Sequence, residues 1–117
     1  MREGCLLHEG SLAALRELVG DDEDALREVA VAFVQDAPDR FAEIARGLAE
    51  SDAALIRRAA HTLKSNALTF GALRFADTCA RLEATAHQGA PADARALADE
   101  AEVEWASVRP QIEALAA

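Results

Sequence analysis

The stretch RRAAHTLKSNALTFGA, which runs from Arg57 to Ala72, decides both the fold and the candidate site. It contains His61, one of three histidines in the chain, and Lys64, the only lysine among twelve basic residues. Apolar residues recur in it every three or four positions, and this spacing predicts an amphipathic helix. Gly71 ends the pattern, as expected where a helix closes in the left-handed conformation.

The side chains of this helix divide into two faces when they are placed at about 100° per residue. The apolar face contains Leu55, Ile56, Ala59, Leu63, Ala67 and Phe70. His61 falls on the opposite face, so it is predicted to be exposed rather than to be a core histidine. Asn66 falls on the apolar side, where a polar side chain is expected to need a hydrogen-bond partner.

Three cations, Arg57, Arg58 and Lys64, lie within one helical turn of His61 on its predicted face. They are close enough to hold an anion against the imidazole ring. An idle surface histidine is the alternative interpretation. Like charges crowded at this spacing cost stability unless an anion visits, which favours a binding role.

The remaining neighbours of His61 on this face are small or apolar. Ala54 and Ser65 are short and are expected to leave the ring open to a bulky incoming group. Leu68 places an apolar side chain on a face that is otherwise polar, which suits a docking surface.

Four further helices are predicted around this one. A short helix follows Ser11 and ends at Gly20. A long helix runs from the acidic turn Asp21–Asp24 to Leu48, with a kink expected at Pro38. A fourth helix runs from Ala72 to about Gln88, and a last one from about Ala92 to Ala114. Short loops favour antiparallel neighbours. We therefore expect an all-α fold, an antiparallel up-down four-helix bundle with a short extra N-terminal helix, in one domain over residues 1–117.

The turn at Gly71 brings the fourth helix back beside His61. If the turn centres on Gly71, Arg81 lies level with His61 and Glu83 lies within a turn of it. Glu83 is then able to accept a hydrogen bond from one ring nitrogen and to leave the other as a nucleophile; a solvated helix residue is the alternative. Such an imidazole can exchange a phosphoryl group as a phosphoramidate, with nearby cations offsetting its charge.

The charge of the chain is unevenly distributed. The formal net charge is −9, which argues against nucleic acid and anionic membranes as partners. Residues 53–88 nevertheless carry five basic side chains against two carboxylates. This basic segment is expected to dock an anionic partner.

Cysteine usage and hydropathy favour a cytoplasmic protein. Cys5 and Cys79 are far apart without a CxxC pattern, and Cys79 is predicted to be a buried free thiol. Neither a leader pattern nor an apolar stretch long enough to span a bilayer is recognised. Nothing in the sequence requires a homodimer, so a monomer is expected.

The segment AHTLKSNALTFGA resembles the signature of histidine-containing phosphotransfer (HPt) domains. The family pattern is His, Lys three residues later, a small residue at the next position and Gly ten residues after the His, which here are His61, Lys64, Ser65 and Gly71. The following CARLEATA resembles the family's fourth helix, with its acid or amide at Glu83. The resemblance extends over nearly the whole chain, including FVQDAPDRF. The family most often has Gly where Ser65 stands.

This resemblance implies a four-helix bundle with an exposed, phosphorylatable His61. Members accept a phosphoryl group from a receiver-domain aspartate and pass it to another receiver. The implied partners are response-regulator receiver domains and/or a hybrid sensor histidine kinase. Since receiver domains carry their own Mg²⁺, the resemblance implies no metal or other cofactor in this chain.

Other functions are less well supported by the sequence. A degenerate adaptor that binds receiver or kinase domains without transfer is the main alternative. The phosphate-accepting domain of a chemotaxis-type kinase is a third reading, but no Gly-rich phosphate loop is present, so no ATP-dependent autophosphorylation is expected. A metal-binding bundle would need Glu-x-x-His pairs, and a hydrolase would need a Ser or Cys paired with a base; neither pattern occurs.

Overall fold

The computed structural model describes residues 6–87 and 91–117, most of which lie in α-helices. In chain order the helices are α1 (Glu9–Leu18), α2 (Glu23–Glu50), α3 (Ala53–Phe70), α4 (Leu73–His87) and α5 (Pro91–Leu115). No strand occurs in the two described ranges. The predicted all-α class is therefore confirmed.

Helix α1 begins earlier than the sequence predicted. The ring nitrogen Nδ1 of His8 accepts a hydrogen bond from the backbone N–H of Ser11 at 3.1 Å, so His8 rather than Ser11 caps the helix. The later helix starts follow the usual pattern of carboxylate caps. Asp22 accepts from the first backbone amides of α2, and Asp52 accepts from the amide of Leu55 in α3.

Both prolines inside helices are accommodated without ending them. Helix α2 continues through Pro38 as one helix of 28 residues, as predicted from the unbroken phase of its apolar stripe. The kink expected at Pro38 stays a prediction. Helix α5 likewise continues past Pro110 to Leu115.

Four of the helices pack in a closed cycle around a shared core. Helix α3 packs against α2 and α4, α5 packs against α4 and α2, and α1 packs on α3. This cycle is the arrangement that a four-helix bundle requires. The up-down direction of the complete set stays a prediction.

The core combines alanine, leucine and isoleucine side chains with a central group of aromatic rings. Trp105 lies with its ring centroid 4.9 Å from that of Phe33 and 5.7 Å from that of Phe75. Trp105 was not predicted as a core residue from the sequence, although it keeps the helical phase of Ala101 and Val108, which are buried beside it in α5. This packing fixes α5 against α2 and α4.

The turn between α3 and α4 depends on Gly71. Its φ of 74° lies in the left-handed region, and its backbone N–H closes the end of α3. Its carbonyl accepts a 2.8 Å hydrogen bond from the backbone N–H of His8. A Cβ at this position would stand 2.8 Å from the backbone N and O of His8, so two separate constraints favour glycine here.

Candidate functional site

Helix α3 buries one face and exposes the other, as its spacing predicted. Its buried residues are Leu55, Ile56, Ala59, Ala60, Leu63, Ala67 and Phe70. His61 lies on the opposite face with 57% of its side chain exposed. The interpretation of His61 as a core histidine is therefore excluded.

A single carboxylate joins His61 to Lys64. Glu83, on the facing surface of α4, places Oε2 at 2.9 Å from His61 Nδ1 and Oε1 at 2.7 Å from Lys64 Nζ. The side chains of Glu83 and Lys64 are each about three-quarters buried. The three side chains therefore form a fixed cluster, here called the His–Glu–Lys cluster, of which His61 is the exposed member.

The charge state of Glu83 determines which nitrogen of His61 carries the proton. Burial would raise the pKa of Glu83, but hydrogen bonds from Lys64 and His61, together with their charges, outweigh it and lower the pKa below its ordinary value of 4.5. An ionised carboxylate only accepts hydrogen bonds. His61 therefore donates from Nδ1, and in the neutral ring Nε2 keeps its lone pair.

The arginines of the predicted site do not all point to His61. Arg57 Nη1 lies 3.0 Å from Nδ1 of His87, the last residue of α4. Arg58 is exposed. Arg81, which was predicted to lie level with His61, is instead paired with Asp77 and Glu100 at 3.2 and 3.0 Å.

Small and apolar side chains continue the exposed face of α3. Ser65 is exposed, and Leu68 is 51% exposed. Leu68 lines a shallow groove between α1 and α3 together with Leu18, which is 82% exposed. Leu18 was not predicted to lie beside Leu68, because the position of α1 over α3 is a tertiary feature.

Asn66 is half-buried rather than fully buried. It lines an open groove between α2 and α3 with Phe33 and Asp36. Asn66 is therefore less buried than expected for a residue on the core side. Because it lies in an open groove, its side chain does not need a hydrogen-bond partner inside the protein. Gly71, predicted as a structural residue, closes the turn that brings α4 beside α3.

The described residues contain neither a metal-binding cluster nor a membrane-spanning helix. Within residues 6–87 and 91–117, no group of three His, Cys, Asp or Glu side chains is arranged to hold a metal ion. In the same ranges, no helix has the length and hydropathy needed to cross a bilayer.

Two comparisons with known proteins agree with this geometry. The sequence model of the Hpt domain matches residues 28–117. The crystal structure of histidine-containing phosphotransfer protein B from Pseudomonas aeruginosa PAO1 superposes with a TM-score of 0.84 at 31% sequence identity, covering 93% of this chain and 92% of the other. No curated protein sequence matches.

Proposed function

Since the chain belongs to the Hpt domain family, whose members carry phosphoryl groups in two-component signalling, we propose that it is a phosphorelay intermediate with His61 as the phosphoacceptor. It accepts a phosphoryl group from the phospho-aspartate of one receiver domain and passes it to the aspartate of another.

One observation carries this proposal. His61 is exposed, while its Nδ1 is held 2.9 Å from the carboxylate of Glu83. This contact fixes the neutral ring in the form with a proton on Nδ1 and a lone pair on Nε2. The imidazole is therefore oriented as a nucleophile before the donor arrives.

In the accepting step, the Nε2 lone pair of His61 attacks the phosphorus of the aspartyl phosphate. The N–P bond forms as the P–O bond breaks, and the receiver aspartate leaves as a carboxylate. The ring keeps its Nδ1 proton and becomes cationic, and the ionised Glu83 stabilises that charge. In the donating step, the aspartate carboxylate of a second receiver attacks phosphorus and the N–P bond breaks.

The cations around His61 offset the charge of the transferred group. Lys64 lies one helical turn after His61, and Arg57 and Arg58 lie in the turn before it. Positive side chains at this distance stabilise the charge that develops on a transferring phosphoryl group. Lys64 is anchored by Glu83, and its Nζ has further N–H groups for the phosphoryl oxygens.

The surface beside His61 suits a protein partner. Ser65 leaves room at the ring, and Leu68 and Leu18 offer exposed apolar side chains along the α1–α3 groove. Exposed apolar side chains rimmed by polar ones are typical of protein-docking surfaces. We assign this surface to receiver domains, or to a hybrid sensor kinase that carries one.

The proposal includes what the family membership implies for the rest of the molecule. The chain acts as a monomeric, cytoplasmic phosphocarrier in one domain, without ATP-dependent kinase activity of its own. It uses no cofactor, because the receiver supplies the Mg²⁺ of the transfer reaction.

Mixing the protein with a phosphorylated receiver tests the proposal. We expect an acid-labile, base-stable phosphoryl group on the wild-type protein and none on His61→Gln, whose circular dichroism stays helical because His61 is exposed. His8→Asn is the matched control, since asparagine also caps helices, and it labels normally. Normal labelling of His61→Gln contradicts the assignment. Receiver binding without labelling of the wild type indicates the adaptor function instead.

A further inference from the structure

A second contact joins α3 to α4 one turn away from the His–Glu–Lys cluster. Arg57 precedes His61 by four residues, and His87 follows Glu83 by four, so their 3.0 Å contact repeats the register of the first pair. Residues four apart on a helix lie on the same face, with Cβ atoms about 5–6 Å apart. Arg57 therefore lies on the same face of α3 as His61, one helical turn before it.

The Arg57–His87 contact defines the protonation of His87. A guanidinium has donors only, so Nδ1 of His87 must be an acceptor without a proton. His87 is thus neutral in this arrangement, with its proton on Nε2. Glu83, the nearest acid along α4, is occupied by His61 and Lys64 and does not take over this role.

A neutral partner distinguishes Arg57 from the arginines that form ion pairs. The arginines paired with carboxylates are Arg27, Arg40, Arg74, Arg81 and Arg109. A carboxylate fixes a guanidinium but also neutralises it. His87 fixes Arg57 and leaves its full positive charge available to an anion.

We propose that His87 is a positioning residue, which holds Arg57 with its charge uncompensated at the edge of the phosphoryl site. This inference rests on the proposed function of His61. A free arginine side chain loses rotamer entropy when it binds an anion, and a preformed contact removes part of that cost. One guanidinium nitrogen contacts His87, and the remaining N–H groups are available to phosphoryl oxygens.

Substitutions at position 87 distinguish the effect of holding Arg57 in place from the effect of neutralising its charge. His87→Asn and His87→Asp have nearly the same shape, and each places an oxygen near the position of Nδ1, but only aspartate neutralises Arg57. We expect His87→Asn to keep the wild-type second-order rate constant for transfer from a phosphorylated receiver. His87→Asp and His87→Ala each lower it by about two- to fivefold, the range typical of one exposed polar contact.

A double mutant tests whether His87 acts through Arg57. We expect Arg57→Ala to lower the same rate constant, and Arg57→Ala with His87→Ala to be no slower than Arg57→Ala alone. Arg95→Ala, on the groove between α2 and α5, is the control for loss of an exposed arginine and leaves the rate unchanged. The proposal is overturned if the rate reductions of the two single variants multiply in the double mutant, or if His87→Ala transfers at the wild-type rate.

The tautomer of His87 gives a readout that needs no transfer. Long-range ¹H–¹⁵N spectra near neutral pH are expected to show Nδ1 of His87 without a proton in the wild type, and a mixture of tautomers in Arg57→Ala. A protonated Nδ1 in the wild type contradicts the positioning role even if transfer is normal. Absence of labelling of the wild type instead overturns the proposed function, together with this inference.

Discussion

Glu83 Oε2 lies 2.9 Å from His61 Nδ1 across the interface between α3 and α4. The contact links the packing of two helices to the state of an exposed ring, because it determines which nitrogen of His61 carries the proton and which keeps its lone pair. The other carboxylate oxygen of Glu83, Oε1, lies 2.7 Å from Lys64 Nζ, so the carboxylate cannot rotate without breaking this ion pair. The orientation of the ring is therefore supported by partly buried groups.

Removal of the carboxylate is expected to slow phosphotransfer without unfolding the protein. In Glu83→Ala the ring of His61 is free to adopt either tautomer. In Glu83→Gln the amide has one acceptor for two donors, so either Lys64 or His61 loses its partner. We expect initial transfer rates about tenfold lower, equivalent to about 1.4 kcal/mol. Glu102→Gln, on the exposed face of α5, is the control. A wild-type transfer rate in Glu83→Ala would contradict the role of Glu83 in orienting His61.

The stability contributed by Glu83 is expected to disappear in acid. A carboxyl whose pKa is lowered in the folded state stabilises folding above its unfolded-state pKa, and this contribution is lost as the pH falls through the folded value. The pKa of Glu83 is lowered from 4.5. At pH 7 the free energy of unfolding of the wild type should therefore exceed that of Glu83→Gln by about 0.5–1 kcal/mol.

Urea unfolding followed by the fluorescence of the buried Trp105 measures this difference. The two unfolding free energies should converge as the pH is lowered below 4.5, the ordinary pKa of this carboxyl. A difference that stays constant as the pH is lowered would show that the ionisation of Glu83 does not stabilise the fold.

Replacement of the only lysine by arginine is expected to reduce transfer although the charge is kept. Lys64 contacts one oxygen of Glu83 and leaves the other to His61. A guanidinium prefers to bind both oxygens of a carboxylate, so Lys64→Arg competes with His61 for Oε2. We expect a rate about two- to tenfold below wild type. Arg58→Lys is the reciprocal control, and equal rates for Lys64→Arg and wild type would refute the competition.

Gly71 and Gly20 provide a matched pair of substitutions. Both have positive φ, 74° and 67°, so an alanine at either position costs about 1–2 kcal/mol in backbone strain. Only at position 71 would the added Cβ crowd His8; nothing lies within 4 Å of a Cβ at position 20. Gly71→Ala should therefore lower the urea midpoint clearly more than Gly20→Ala. Equal shifts would mean that the contact with His8 relaxes at little cost.

Helix α3 was predicted closely from the sequence, but the turn that leads into α4 was centred one residue too early. Because α3 has a strong apolar periodicity, its buried face and the exposure of His61 could be assigned from spacing alone. The contacts between 61 and 83 and between 57 and 87 centre the turn on Ala72 rather than Gly71. The register of α4 depends on how a helix ends in three dimensions, which composition does not specify, and Arg81 was therefore placed beside His61 in error.

Two features of α1 were also missed. The cap of α1 by His8 depends on the orientation of an imidazole, and histidine is not among the usual capping residues. The exposed Leu18 lines the same groove as Leu68 only because α1 packs on α3. In contrast, Trp105 could have been found, because it keeps the phase of the apolar stripe in α5.

The hydrogen bond between His8 and Gly71 has a consequence for the order in which the molecule assembles. The α3–α4 hairpin consists of neighbours in the sequence and is expected to form early, since local contacts carry little loop-closure entropy. Its turn, however, is fastened by a residue that precedes α1. The helices of the site can therefore meet before their relative position is fixed. Full reactivity of His61 should then appear with the docking of the chain's first helix, later than most of the helical structure.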